Sequence, residues 1–291
     1  VSAEELKKYR NPVLAFNTDG VGTKTLLAAI LDKWEGIGQD IVNHCINDIL
    51  TMGAKPICFS DYIASSKLDA GIIERIVKSV SDCCKKNGII FVGGETAEMP
   101  DVYNDNAVDV AGFIMGAAEK ENVIDGSRIK GGDALVGIES TGLHTNGYSL
   151  VRKIISDGKI ILTPQIAEAL MKPHRNYLKT TAAVMEKRLI KGIAHITGGS
   201  FRKNLPRILP KGLGAEVDRK SWQPLPIFKL IQEKGNIPVD EMYNTFNMGI
   251  GYVYVVDRND AARVLQLLLQ LGEKAHIIGK VVKGEGVEFV D

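Results

Sequence analysis

The sequence predicts an α+β fold built as two α/β-layered domains, and three observations carry that expectation. Between Val13 and Ala118 short apolar runs alternate with runs of helical period. A charged, glycine-bearing stretch, Glu119 to Gly132, then reads as a linker. Beyond it strand and helix patterns resume. At 291 residues the chain exceeds what one core usually serves, so domains at 1–122 and 123–291 are expected.

Val13 to Asn17 reads as a strand, followed by a glycine loop and a helical run from Thr25 to Asp32. Gln39 to Met52 places Ile41, Val42, Cys45, Ile46, Ile49 and Leu50 at helical spacing, and Gly53 with Pro56 ends it. A strand is expected over Ile57 to Ala64, an amphipathic helix over Asp69 to Asn87 and a strand over Ile89 to Val92. Gly93-Gly94 is expected as a backbone-permissive loop, and Ala107 to Ala118 as a strand. In the second half, Asp133 to Ser140 and Gly249 to Val256 read as strands. Gly147 to Ser156, Arg175 to Leu189 and Asp260 to Leu271 read as helices. No fixed-period repeat or low-complexity tract is present.

Composition removes several function classes. Lys and Arg number 36 against 35 Asp and Glu, a formal charge of +1, with no basic block to track a nucleic acid backbone. No apolar run approaches the ~20 residues that span a bilayer. The four cysteines, Cys45, Cys58, Cys83 and Cys84, form no CxxC and suit a reducing cytosol. Adjacent side chains on a helix diverge by about 100°, so Cys83-Cys84 reads as helix packing rather than a redox or metal pair. The start, Val1-Ser-Ala-Glu-Glu, lacks both an initiator Met and an apolar core, and reads as cut or processed.

Four constellations offer chemistry. Gly20 and Gly22 allow close backbone approach to a polyphosphate, Lys24 enters a helix whose N-terminus favours anions, and Asp19 at the strand end offers a metal ligand. Thr23 and Thr25 stand where a Walker loop or a GxGxxG needs glycine, so locally the segment is equally an ordinary turn. On the next helix His44, Asn47, Asp48 and Thr51 fall at i, i+3, i+4 and i+7. A solvated face would carry Lys and Glu instead, and Asp and Asn are poor mid-helix residues. Asp61 alternates in phase with Ile57, Phe59 and Ile63, which leaves it either buried and in need of a cation or past the end of the core. Gly93-Gly94-Glu95-Thr96-Ala97-Glu98 adds two carboxylates of the hard kind that suits Mg²⁺ bridged to phosphates. In the second half, Gly142, His144, Asn146 and Gly147, and His195, Thr197, Gly198 and Gly199, form polar loops able to hold a phosphate. His144 and His195 are proton-carrier candidates, His195 the stronger, with a structural hydrogen bond as the alternative for each. His174 and His276 have no such context. Asn247-Met248-Gly249 reads as a binding turn or a tight strand entrance.

Asp19 to Lys24, Ile46-Asn-Asp-Ile49, Asp61-Tyr62, Gly93 to Pro100, Gly142 to Leu150, His195 to Gly199 and Thr245 to Gly249, in this order, closely resemble the aminoimidazole ribonucleotide synthetase family over almost the whole chain. The resemblance implies ATP-dependent, Mg²⁺-assisted closure of the imidazole ring of formylglycinamidine ribonucleotide, yielding ADP and phosphate. It implies that Asp19, Gly20, Gly22, Thr23 and Lys24 serve ATP and metal. Asn47 and Asp48 would serve metal or phosphate, and Asp61, Gly93, Gly94, Glu95, Thr96 and Glu98 would complete that region. Lys24, Asp48 and His195 become the expected catalytic residues and Asp19, Asp48, Asp61 and Glu95 the metal shell. Gly142, His144, Asn146, Thr197, Gly198, Gly199 and Asn247 are the expected substrate contacts. It further implies a homodimer paired through the sheet of the N-terminal domain, whose sheet is mixed.

Three departures stand out. A glycine-rich segment that family members usually carry before the first strand is missing, and Ser200 stands where a third glycine is common. Thr145 replaces a frequent Ser and keeps the hydroxyl. Formylglycinamidine synthetase, thiamin monophosphate kinase and selenophosphate synthetase share the architecture; the retained acidic cluster and the motifs of both halves favour the cyclase over these and over a silent nucleotide-binding protein.

Overall fold

The structure, a computed structural model, describes residues 3–104 and 107–291. Val1 and Ser2 of the start that reads as processed lie outside the described residues. The chain forms two compact units. The first gathers the chain up to Leu50, Ala54–Val123 and His144–Asn176; the second holds Thr51–Gly53, Ile124–Leu143 and Tyr177–Asp291. The boundary at residue 123 falls inside the expected linker. Residues 144–176, beyond that linker in sequence, cluster with the first unit.

The first unit contains β1 (Pro12–Gly20), α1 (Lys24–Leu31), α2 (Ile37–Leu50), β2 (Lys55–Ser65), α3 (Ala70–Lys86), β3 (Ile90–Glu98), β4 (Val108–Glu119), α4 (Tyr148–Ser156) and α5 (Pro164–Met171). Its four strands run in the order β1-β4-β2-β3. β4 is antiparallel to both β1 and β2, and β3 is parallel to β2, so the sheet is mixed. α2 packs on β1, β2 and β4, and α3 on α2 and β3. α3 begins where Asp69 accepts hydrogen bonds from the Gly71 and Ile72 amides at 2.8 and 3.1 Å, an N-cap of the usual kind. Gly88, in the left-handed region, follows it. The core side of the sheet carries Ala15, Phe59, Ile63, Val110 and Ile114.

Two expectations need correcting here. Gly93-Gly94 is not a loop: β3 runs through it to Glu98, held by its ladder to β2. β1 likewise extends to Gly20, so Asp19 belongs to the strand and only Val21 to Thr23 separate it from α1.

The second unit contains β5 (Ala134–Glu139), α6 (Leu178–Met185), β6 (Ile190–His195), α7 (Ser200–Asn204), β7 (Leu213–Asp218), α8 (Pro226–Gly235), α9 (Val239–Thr245), β8 (Ile250–Val256), α10 (Ala261–Gln270), β9 (Ala275–Lys283) and β10 (Val287–Val290). Six strands form one sheet in the order β10-β7-β9-β5-β8-β6, with only β10 and β7 parallel. β8 is buried along its whole length, as a central strand covered on both faces must be. The helix expected from Arg175 starts at Leu178; Pro173 to Tyr177 form an irregular segment instead.

Candidate active site

One rung of the first sheet sets the geometry. Asp19 on β1 and Asp61 on β2 both lie opposite Gly112 of β4, and Asp61 lies opposite Gly94 of β3. Directly opposed residues share a face. Here it is the face covered by α2, because a Cβ on Gly112 would come 2.6 Å from the Phe59 ring and 2.7 Å from Ile41. Asp19 and Asp61 therefore lie on the helix-covered face, two strands apart, roughly 10 Å between their Cα atoms.

Asp61 is 5% exposed, and its Oδ2 has no hydrogen-bond partner among the described residues. Burial holds its carboxyl above the usual carboxylate range. A Cβ at Gly94 would lie 1.7 Å from Asp61 Oδ1, so position 94 must be glycine for the carboxylate to sit where it does. Glu95 is one residue further along β3, opposite Tyr62. The pleat thus sends it to the other face, and the structure does not bring Glu95 to Asp61. Glu95 accepts from the Thr96 amide at 3.0 Å and Glu98 from the Leu68 amide at 2.8 Å, both at the surface. Gly93, with φ of 95°, receives the Ser60 hydroxyl on its carbonyl at 2.8 Å.

α2 brings the polar stripe to the same face. His44 is buried; its Nε2 lies 3.1 Å from Asp19 Oδ2 and 3.6 Å from Asp48 Oδ2, and its Nδ1 lies 3.0 Å from the Thr145 hydroxyl. Burial alone would pull this imidazole down. The Asp19 hydrogen bond and the charges of Asp48, Asp19 and Asp40 outweigh it and raise the pKa above the ordinary imidazole range. A protonated ring donates from both nitrogens, which suits a bridge between two carboxylates and a hydroxyl oxygen. Asp19 and Asp48 keep 41% and 21% of their side chains exposed. His174 lies 5.0 Å from His44 and stacks on His144 at 3.9 Å with planes 20° apart, all three rings buried.

The rest of the glycine loop is more occupied than its sequence suggests. The Gly20 amide donates to Asp19 Oδ1 at 2.7 Å; Gly22, at φ of 67°, accepts from Thr25; and Thr23 Oγ1 lies 3.1 Å from Ser149 Oγ. Lys24 is fully buried against Asp40. Burial pushes the Lys24 ammonium down and the Asp40 carboxyl up, and each charge counters the shift of the other. Asn47 is fully buried and donates to the Arg175 carbonyl at 2.7 Å. Asn146 Nδ2 donates to the Thr145 hydroxyl at 3.5 Å.

In the second unit, Asn247 braces two loops. Its Nδ2 donates to the Gly142 carbonyl at 2.9 Å and its Oδ1 accepts from the Gly249 amide at 2.8 Å. His195 ends β6, buried edge-on against Tyr252 at 5.6 Å. Thr197 donates to Asn204 Oδ1 at 3.5 Å, and Asn204 returns a bond to the Gly198 carbonyl at 3.4 Å. Gly199 has φ of 80°. Ser200 is fully buried and donates to the Phe246 carbonyl at 2.6 Å, so the extra side chain at the usual glycine position turns inward.

Sequence reasoning missed His174, Asp40 and Asn43. Asp40 and Asn43 stand at i−4 and i−1 from His44 on the helix already singled out, and their poor helix propensity was the available signal. His174 has no local signal beyond Pro173 before it, since its ring partners are remote in sequence.

Known proteins place these features in a family. Residues 8–118 match the N-terminal domain, and residues 130–291 the C-terminal domain, of "AIR synthase related protein". A phosphoribosylformylglycinamidine cyclo-ligase of Geobacillus sp. (strain WCH70) is 50% identical over 289 residues, 97% of this chain and 84% of that protein. Among solved structures, E. coli HypE superposes with a TM-score of 0.77 at 20% identity, covering 100% of this chain and 86% of that one. PurL of T. maritima complexed with ATP gives 0.65 at 17% identity, covering 96% and 42%. At such identities these two establish a shared fold.

Proposed function

Since the chain belongs to the AIR synthase family and is similar over nearly its whole length to phosphoribosylformylglycinamidine cyclo-ligases, we infer that it is itself that ATP-dependent ligase of purine biosynthesis. It would close formylglycinamidine ribonucleotide to aminoimidazole ribonucleotide and release ADP and phosphate. The half-identical match across both domains carries this reading.

In this mechanism the γ-phosphoryl group of ATP passes to the formamide oxygen and ADP leaves. An amidine nitrogen then attacks the activated carbon, the C–O bond breaks to release phosphate, and proton loss gives the aromatic ring. Orientation and charge neutralisation supply most of the acceleration. The first unit fits the ATP and metal role: Asp19 and Asp48 are partly exposed carboxylates, and buried Asp61 has an oxygen that lacks a protein partner among the described residues. These three would hold Mg²⁺, which neutralises phosphate charge. His44 fixes the orientation of Asp19 and Asp48. In the second unit, the loops at Gly142, at Thr197 to Gly199 and at Asn247 would receive the ribose phosphate, and His195 would move a proton. The four cysteines are free thiols, and no helix among the described residues is long and apolar enough to cross a membrane; both suit work in the cytoplasm.

The outer face of the first sheet supports a homodimer. Phe16 lies opposite Met115, Met115 opposite Cys58, and Cys58 opposite Ile90, an apolar rung across all four strands. Phe16 is 72% exposed, and Leu14, Ile90, Val92 and Phe113 are exposed as well. A continuous apolar face of this kind marks an association surface, here for a second copy of the chain. The overall reading is tested by incubating the protein with ATP, Mg²⁺ and formylglycinamidine ribonucleotide and measuring aminoimidazole product. Product in equal amount to ADP is expected; ADP without it would sink the assignment.

A further inference from the structure

Lys24 follows the glycine loop, and a ligand phosphate is the partner its sequence context offers. The fold gives it other company. Its ammonium lies 2.9 and 2.7 Å from the two Asp40 oxygens and 2.9 Å from the Lys172 carbonyl, with the Tyr148 ring 5.6 Å away. The ammonium hydrogen-bonds Asp40 Oδ1 and the Lys172 carbonyl and pairs in charge with Oδ2. At 0% exposure it is enclosed by these protein groups rather than presented to a phosphate.

Asp40 does more than neutralise Lys24. Its Oδ1 accepts from the His174 amide at 2.7 Å. One turn along α2, Asn43 Nδ2 donates to the His174 carbonyl at 2.7 Å, and a further turn on, Asn47 Nδ2 donates to the Arg175 carbonyl at 2.7 Å. Asn176 Nδ2 returns to Asn43 Oδ1 at 2.8 Å. Positions 40, 43 and 47 fall at i, i+3 and i+7, one helix face. That face grips the backbone of His174 and Arg175, while Lys24 holds the Lys172 carbonyl and Asn176 joins through its side chain, all in a stretch outside any helix or strand. Its side-chain consequence is His174, stacked on His144 and 5.0 Å from the His44 ring that bridges Asp19 and Asp48.

We propose that Lys24 and Asp40 are positioning residues, a buried ion pair that clamps the Lys172–Asn176 segment on α2 and so sets His174 in the histidine stack beside the His44 carboxylate cluster. A buried pair is a poor way to add stability, since apolar residues of similar volume often do as well. Fixing one arrangement of an irregular segment is a use that apolar side chains cannot serve. The proposal rests on reading the His44 cluster as part of the active site.

The test compares Lys24→Met, Asp40→Asn and the double variant for kcat, for the KM of ATP, and for the ¹³C-labelled histidine resonances, of which the chain has five. Each single change is expected to lower kcat at least tenfold with the ATP KM within about threefold of wild type, and to move the His174 resonance. The double variant is expected to recover at least tenfold in kcat over Lys24→Met, with the His174 resonance returning toward its original position. An amide at 40 still accepts from His174 N, offers a donor to the Lys172 carbonyl and leaves no buried charge. Loss of a phosphate ligand at 24 cannot be repaired from position 40. A tenfold or greater rise in ATP KM for Lys24→Met, with no recovery in the double variant and an unmoved His174 resonance, would overturn the clamp. Resonance changes with wild-type kcat would instead overturn the link to the reaction, and with it the reading of the stack as active-site structure. If Lys24→Met does not fold, Asp40→Asn decides alone: lower kcat, a shifted His174 and unchanged ATP KM support the clamp, and wild-type values refute it.

Discussion

Asp61, proposed above as a Mg²⁺ ligand, sits where that role would work against stability. Its carboxyl is buried with one oxygen unpartnered among the described residues, and burial raises its pKa. The sign follows from linkage: between the ordinary carboxylate range and the raised folded value, the folded state holds the extra proton. Stability therefore falls as pH rises through that window, and the full cost persists at neutral pH. Asp61→Asn should raise the thermal midpoint by about 2–4 °C, the shift that ~1 kcal/mol gives in a domain of this size, while abolishing turnover. A lowered midpoint with the fold intact would contradict the account. His44 makes the opposite case. Its pKa is raised, so its favourable contribution is complete below the ordinary imidazole range and is lost as pH rises through the folded value. In metal-free protein, Asp48→Asn should lower the pKa read from the His44 NMR resonance, and in the assay it should reduce kcat by at least a hundredfold. An unmoved titration would separate Asp48 from His44. For stability, as read by the thermal midpoint, Lys24→Met should be the most destabilising of these changes, since an uncompensated buried Asp40 costs about 3–5 kcal/mol.

At the scale of elements, the sequence is most legible where local chemistry decides. The apolar period of α3, its Asp69 cap and Gly88 define a helix whichever unit surrounds it. The phase of Asp61 with Phe59 and Ile63 places it on their face of the strand, but whether it lies inside the core or past its end is decided only by the fold, which buries it. β3 escapes a local reading because Gly93-Gly94 is permissive by itself, and only pairing with β2 keeps it extended. Short strands such as β10, whose pairing partner lies far away in sequence, carry no local signal of their own. The outer face of the first sheet is an element-level prediction. Phe16→Asp, at a position exposed in the isolated unit, should shift the protein from dimer to monomer in sedimentation equilibrium with its far-UV spectrum unchanged. Burial pushes Cys83 up to about 11 and Cys84 up to about 12, and raises Cys45 well above the thiol range. Cys58, on the apolar rung, is the half-exposed thiol. A thiol reagent at pH 8 should therefore label Cys58 quickly in the Phe16→Asp variant and slowly in the parent. Equal rates would argue against pairing through this face.

For the whole molecule, the order of motifs along the chain is enough to point to the cyclo-ligase family, and the match across both domains agrees with it. Which residues meet in space is not written in that order. Lys24 resembles a phosphate ligand because the sequence shows its neighbours in the loop and hides Asp40 and the Lys172 carbonyl. Glu95 resembles a partner of Asp61, yet strand pairing puts the two on opposite faces. His174 stands isolated in the sequence, and the fold stacks it on His144. The central claim is chemical: the formamide oxygen leaves as phosphate oxygen. Formylglycinamidine ribonucleotide labelled with ¹⁸O in the formyl group should give aminoimidazole ribonucleotide together with inorganic phosphate carrying one ¹⁸O per product formed. Product formation with unlabelled phosphate and the label in water would contradict it.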